Sequence, residues 1–168
     1  GKYWDRVLSS SIVTWDTDAE QAFEWVEVSP DFLTTNCVYL GNSYFEAWRT
    51  TDAGCSWDKL TFPCAPRPCV SAAVVIDEDT VIAGGACWGG CEAACGHVYK
   101  TTRHGTRVWD TYDVDTKGDA VSFALEPGYT DPGSVLLGTD YSEVFISEDG
   151  GETWDLVGVP SDVFAPEQ

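Results

Sequence analysis

Ser147-Glu-Asp149-Gly-Gly151-Glu-Thr153-Trp154 and Thr50-Thr-Asp52-Ala-Gly54-Cys-Ser56-Trp57 fit one template, [Ser/Thr]-x-Asp-x-Gly-x-[Ser/Thr]-Trp, at an offset of 97 residues. A single match arises by chance in about one chain in a thousand, so two in a shared frame constitute a repeat. Between them lies a damaged copy, Thr101-Thr-Arg103-His104-Gly105-Thr-Arg107-Val-Trp109, with Arg103 in the Asp place and one extra residue before Trp109. The chain opens on a remnant, Gly1-Lys-Tyr-Trp4. The glycines Gly1, Gly54, Gly105 and Gly151 are separated by 53, 51 and 46 residues. That spacing suits a repeating four-stranded unit and is too long for most helical repeats.

The repeat extends beyond these turns. Residues 30–57 align without a gap on 127–154, so that Pro30 falls on Pro127, Phe32 on Tyr129, Val38 on Val135, Leu40 on Leu137, Gly41 on Gly138, Tyr44 on Tyr141 and Glu46 on Glu143. Each repeat reads as four short strands, rich in Val, Ile, Phe, Tyr and Trp, between turn signals. The expected strands are 22–28, 37–43, 46–51 and 56–62, then 70–76, 80–86, 97–102 and 107–114, then 120–126, 134–140, 143–148 and 153–159. No stretch holds a 3.6-residue apolar period for more than two turns, so almost no helix is expected. No segment approaches the ~20 apolar residues of a membrane-spanning helix.

These turns and their period resemble the Asp-box (BNR) repeat of β-propellers such as sialidases, xyloglucanases, sortilin-type receptors and photosystem II assembly factors. The resemblance implies an all-β fold of antiparallel four-stranded blades. On it, residues 1–168 are a single propeller segment: an outer strand of a preceding blade at 1–8, blades at 22–62, 70–114 and 120–159, and a tail at 160–168. Three repeats fall short of the four or more blades of a closed ring. The expectation is therefore an incomplete propeller, either part of a longer polypeptide or completed by other subunits. The turn itself has a mechanical reading. Gly54 and Gly151 supply the left-handed backbone a tight turn needs. Asp52 and Asp149 fold back onto backbone N–H groups, and Trp57 and Trp154 bury their rings between blades. In the family these boxes lie on outer hairpins, away from the substrate face, so Thr50, Asp52, Gly54, Ser56 and Trp57, with Ser147, Asp149, Gly151, Thr153 and Trp154, are expected to be structural.

The net charge of −19, from 28 acidic and 9 basic residues, disfavours nucleic acid and anionic lipid as partners. Calcium is the cofactor such a surface invites, but the nearest loop, Asp113-Val-Asp115-Thr-Lys117-Gly118-Asp119, puts Lys117 at a ligand position and lacks a closing Glu. No cofactor is expected.

Seven cysteines, with no C-x-x-C pair among them, point to disulfides in an oxidising compartment, and hence to an extracellular, periplasmic or cell-surface protein. Cys37 begins a second strand and Cys55 sits in the box at the same end of one blade. Their counterparts in the last repeat are Ser134 and Glu152, so the two come and go together. A Cys37–Cys55 bridge is expected, worth about 3 kcal/mol if chain entropy governs. Cys64 and Cys69 flank Ala-Pro-Arg67-Pro in a blade-to-blade connection, and Cys87, Cys91 and Cys95 occupy an insertion, CWGGCEAAC, between second and third strands. These five are expected together on the opposite end, joined by at least one disulfide whose connectivity the sequence leaves open.

The resemblance also supplies a test for catalysis. Sialidases clamp a carboxylate with three Arg, and the five here, Arg6, Arg49, Arg67, Arg103 and Arg107, cannot converge on the substrate face. Xyloglucanases set an Asp pair across a cleft between two propellers. His97 and His104 sit at a strand start and in the damaged box. Asp16 and Asp18, and Asp113, Asp115 and Asp119, lie in blade-to-blade connections, while Asp77, Glu78 and Asp79 suit a first-to-second-strand hairpin. Catalytic residues are therefore expected to be absent. The binding-face candidates are Arg67, Trp88, Trp15, Asp113 and Asp115, where exposed aromatics can stack on sugars or anchor a protein. The expected function is a non-enzymatic extracellular or cell-surface propeller for protein–protein assembly or ligand binding. The alternative is a carbohydrate-active propeller, a glycoside hydrolase or lectin-like sugar binder. An assembly factor is disfavoured by the cysteines and by the lack of an Arg-rich patch.

Overall fold

The computed structural model of the chain describes residues 23–42, 46–62, 70–85, 96–106, 108–116 and 118–158. The strand expected at 1–8 and the tail at 160–168 lie outside these. The described residues form twelve strands in three four-stranded antiparallel meanders. The first is β1 (Phe23–Val28), β2 (Val38–Asn42), β3 (Ala47–Thr50) and β4 (Asp58–Lys59). The second is β5 (Val70–Val75), β6 (Val81–Gly85), β7 (His97–Thr101) and β8 (Asp110–Asp113). The third is β9 (Ala120–Leu125), β10 (Val135–Thr139), β11 (Val144–Ser147) and β12 (Asp155–Gly158). The helix is a single turn, α1 (Phe32–Thr35), between β1 and β2. Among the described residues no helix is long and apolar enough to cross a membrane.

The sheets stack face to face through two cores. Alternation along a strand sends successive side chains to opposite faces, and in the middle sheet both faces are apolar. Ala73, Val75, Val81, Ala83 and Tyr99 meet Cys37, Tyr39, Ala47, Leu60 and Phe62 of the first sheet. Ala72, Ile82 and Val98 meet Val135, Leu137 and Phe145 of the third. Burying one such large side chain is worth about 1.5–3 kcal/mol. The first strands β1, β5 and β9 approach one another most closely, so they form the inner edge of the stack and β4, β8 and β12 its outer edge. Gly84 is required by that approach, because a Cβ there would lie 2.1 Å from Ala120 Cβ in the neighbouring sheet.

One strand is much shorter than the expected 56–62. Leu60 continues the pairing with one bond, its N–H to Ala47 O at 2.9 Å. Leu60 and Phe62 then turn inward, and Phe62 stacks on Trp109 of the second sheet at 4.5 Å. Core burial between sheets outweighs further ladder bonds there.

Candidate functional site

The repeated turns close the third-to-fourth-strand connection of each sheet, and the two intact ones are chemically alike. Thr50 Oγ1 donates to Asp52 Oδ1 (2.7 Å) and accepts from Gly54 N (2.9 Å). Asp52 also accepts from Ser56 N (2.8 Å) and Ser56 Oγ (2.6 Å). In the third sheet Ser147 Oγ donates to Asp149 (2.8 Å) and accepts from Gly151 N (2.7 Å), while Asp149 accepts from Glu152 N (3.0 Å), Thr153 N (2.9 Å) and Thr153 Oγ1 (2.6 Å). The hydroxyl and backbone of Ser56, with the Thr50 hydroxyl, hold Asp52 at about 2. Desolvation pushes Asp149 up, but bonds from Thr153, Ser147 and Glu152 outweigh it and also hold it at about 2. Carboxylates so occupied are fastenings, unsuited to proton transfer near neutral pH.

The damaged turn keeps the backbone and loses the carboxylate. Ala53, His104 and Gly150 all have positive φ (57°, 63° and 75°), followed by Gly54, Gly105 and Gly151 at 93°, 70° and 95°. In all three, the tryptophan indole N–H donates to the carbonyl of the last glycine: Trp57 to Gly54 (3.2 Å), Trp109 to Gly105 (3.0 Å) and Trp154 to Gly151 (3.1 Å). In place of an aspartate inside the turn, the His104 imidazole pairs with Asp79 of the β5–β6 hairpin. Trp154, as expected, and Trp109 of the damaged turn pack against the two cores, whereas Trp57, also expected to bury its ring between sheets, is half-buried and packs in neither described core.

The expected Cys37–Cys55 bridge is absent: both are free thiols. The two are at one end of the sheet, where Ala53 N bonds Asn36 O at 3.2 Å. Their side chains diverge. Cys37 lies on the face buried against the second sheet, its Sγ 4.0 Å from Glu78 O, and burial pushes its thiol up. Cys55 is exposed at the turn tip. Cys64, Cys69, Cys87, Cys91, Cys95, Arg67, Trp15 and Trp88 lie outside the described residues.

Contacts between sheets carry the polar residues that sequence did not single out. Arg49, one of the five arginines to which the sequence assigned no role, is buried, and its Nη2 donates to Glu78 O (3.1 Å), as does Tyr39 OH (2.8 Å). Burial pushes the Tyr39 phenol up. Lys100 Nζ meets Asp131 Oδ1 at 2.9 Å, and Tyr129 OH donates to the same oxygen at 3.0 Å. Arg49 and Lys100 occupy the same blade position, opposite Tyr39 and Ile82 in register. A cation on a third strand thus reaches the first-to-second-strand turn of the following sheet. Each directly precedes the first residue of its turn, Thr50 and Thr101, and that shared place is the signal in the sequence.

At the opposite end, Val70 pairs with Gly85, so the connections spanning 63–69 and 86–95 spring from neighbouring residues. Asp113 is exposed and sits 2.8 Å from His97 Nδ1, and Asp115 is exposed. Asp119 N bonds Asp140 Oδ1 at 2.8 Å. A cleft of about 10 Å³ between the second and third sheets, lined by Gly96, His97, Val114, Thr116, Leu137 and Thr139, has room for a water and none for a sugar ring. Among the described residues no three metal-ligating side chains converge.

No protein-family model and no curated protein matches the chain. Solved structures do. It is similar to YCF48 bound to a D1 peptide (TM-score 0.59, 15 % identity, 80 % of this chain and 39 % of that one). It is also similar to the GH74 enzyme of Niastella koreensis (TM-score 0.59, 13 % identity, 81 % of this chain and 22 % of that one). YCF48 from Cyanidioschyzon merolae matches too (TM-score 0.54, 14 % identity, 82 % of this chain and 43 % of that one). The chain spans less than half the length of each. At such identities the likeness shows the fold. The three stacked sheets are three consecutive blades of a β-propeller.

Proposed function

We propose that this propeller is a non-enzymatic scaffold for protein–protein assembly or ligand binding, working outside the cell or at its surface, and that its repeats are of the Asp-box type. The observation that carries this reading is a division of labour between the two ends of the blades. At one end the carboxylates of Asp52 and Asp149 are consumed inside their own turns. At the other end Val70 pairs with Gly85, residues close in sequence to the segments 64–69 and 87–95 where the chain departs from its repeat. Departure from a repeat that otherwise serves folding is where a partner surface is expected, and Arg67 and Trp88 lie in those segments. A YCF48 structure solved with a D1 peptide gives a precedent for a propeller of this fold taking a polypeptide. The extracellular placement rests on the charge of −19 and on the five cysteines of those segments. The free Cys37 and Cys55 lend it nothing.

The GH74 likeness favours one competing reading, a carbohydrate-active propeller. Calorimetry and hydrolysis assays with sialic acid conjugates and β-glucan oligosaccharides separate the two. We expect neither heat nor turnover, and hydrolysis of either substrate would overturn the scaffold reading. Non-reducing peptide mapping should find at least one disulfide among Cys64, Cys69, Cys87, Cys91 and Cys95. Five free thiols would remove the support for an oxidising compartment.

A further inference from the structure

The inner edge between the first and second blades departs from the repeat at two neighbouring positions. Register places Trp25, Ala72 and Ser122 at one position of the three blades, each opposite a second-strand glycine, Gly41, Gly84 and Gly138. Two residues on, Glu27, Val74 and Ala124 stand opposite Tyr39, Ile82 and Leu136. Side chains two apart on a strand share a face, with β-carbons about 7 Å apart. In the first blade that face is the one turned to the second blade, where Trp25 packs on the core. The second and third blades thus carry small or aliphatic residues where the first carries an indole and a carboxylate.

Both choices disfavour folding. Over Gly84, Ala120 of the next blade comes so close that a Cβ would lie 2.1 Å from it. Over Gly41 the space is taken by Trp25 itself, whose Cε2 would lie 2.2 Å from a Cβ there. The indole fills from within its own blade a gap that the neighbouring blade closes at the second interface, and β1 approaches β5 less closely than β5 approaches β9. Its Nε1 is buried without an acceptor, so no hydrogen bond holds the ring in place. Glu27 beside it is half-buried, and among the described residues no hydrogen bond or ion pair reaches its carboxylate. Loss of water pushes that carboxyl up from its ordinary value. The shielded carboxylates of Glu46, Glu143 and Asp149 are matched, by Lys59, by Thr116 and by the turn hydroxyl of Thr153. An unmatched carboxylate beside an unmatched indole, where the counterpart strands avoid both, is a local violation of the kind that marks functional sites.

We propose that Glu27 and Trp25 form a binding site for a lysine or arginine side chain of a polypeptide partner, the charged head on the Glu27 carboxylate and the apolar stem against the Trp25 ring. The chemistry follows from the two groups. A half-desolvated carboxylate attracts a cation more strongly than one in bulk water, and an aromatic ring takes both a methylene stem and a cation. A cationic partner also suits a chain of net charge −19. The strand β1 lies on the inner edge, the side of a blade that faces the central channel of a propeller, so a partner segment reaches the site from there. The site stands apart from residues 64–69 and 87–95 and rests on the scaffold reading only in taking a polypeptide.

The test is a titration of the full chain followed by the indole N–H signals of its eight tryptophans in NMR, with Trp25→Phe identifying the Trp25 signal. The probes are a blocked glycine–lysine–glycine tripeptide, the same peptide with norleucine for lysine, and n-butylamine, each to about 10 mM, a range that resolves millimolar affinity. The lysine peptide should shift the Trp25 signal saturably and leave the other indoles in place, and the norleucine peptide should not. Glu27→Val copies the residue at the same position in the second blade and should fold, as circular dichroism will show. It should weaken binding at least about tenfold, the loss of one hydrogen bond to a charged group. Glu27→Gln, which keeps the size and removes the charge, should weaken it likewise. A Trp25 signal unmoved by the lysine peptide, a shift reproduced by norleucine, or one retained in Glu27→Val would each overturn the proposal. Saturation by n-butylamine with no response to the peptide would overturn the polypeptide as its ligand. None of these outcomes touches the scaffold reading, which falls on hydrolysis of a glycan.

Discussion

The backbone N–H of His104 donates to the carbonyl of Asp79 at 2.9 Å, and the same bond joins Ala53 to Asn36 (3.2 Å) and Gly150 to Gly133 (3.0 Å). In each blade it ties the third-to-fourth-strand turn to the residue two positions ahead of the second strand. Only at His104 and Asp79 do the side chains pair as well. That pair stands where the intact turns use an internal aspartate. A turn that lost its carboxylate has thus kept its shape by borrowing one from the adjacent hairpin.

His104→Ala should destabilise the fold by about 1 kcal/mol in urea denaturation. It removes the partly exposed imidazole contact to Asp79 and leaves a β-carbon at φ 63° with no compensating bond. His104→Gly should cost less, since glycine accepts that backbone freely. Equal losses for the two would show that the backbone conformation carries no strain.

Asp149→Ala should cost about 1–2 kcal/mol at neutral pH, because it leaves Thr153, Glu152 and Ser147 without their shared acceptor. The folded carboxyl titrates at about 2, below the about 3.9 of an unfolded chain. The native state therefore binds fewer protons between those values. Its contribution is complete above about pH 4 and is lost as the pH falls through about 2. The variant should show a shallower loss of stability over that interval. Asp52 is expected to act in the same direction.

Lys100 is buried and Asp131 is its acidic partner across the second blade interface. Asp131→Asn should destabilise by about 1–3 kcal/mol, the range for a hydrogen bond to a charged group. Pairing it with Lys100→Met should recover much of that loss, since the buried charge goes with its partner. Additive losses in the double variant would show that the two residues are not coupled.

Alkylation of the native protein followed by peptide mapping should label Cys55 quickly and Cys37 only on unfolding, as their exposure dictates. Recovery of a Cys37–Cys55 linked peptide without reductant would contradict the divergence of the two side chains.

Gly84→Ala should cost about 1–3 kcal/mol in thermal or urea unfolding, since the added carbon would meet Ala120 of the third blade at 2.1 Å and force the sheets apart. An unchanged stability would mean the interface relaxes freely.

The sequence by itself determined the repeat, most of the described strands and the internal chemistry of the two intact turns. These are set within a few residues: Ser or Thr, Asp and Gly at fixed spacing close the turn, and an alternating apolar pattern marks a strand. The offset of 97 between the first and last repeats carried over to structure position by position, with Val38 and Val135 both opening second strands. Tertiary structure decided the rest, because every remaining question concerned which face a side chain occupies and what the adjacent sheet presents there. Cys37 and Cys55 share a blade end, yet one side chain enters the core between sheets and the other points to solvent. Arg49 and Lys100 find their partners 29 and 31 residues along the chain, on the turn of the next blade. Leu60 and Phe62 leave their strand for a core that exists only once two sheets have stacked. Local spacing fixes what a turn or strand is, and the packing of one sheet on another fixes what each side chain is for.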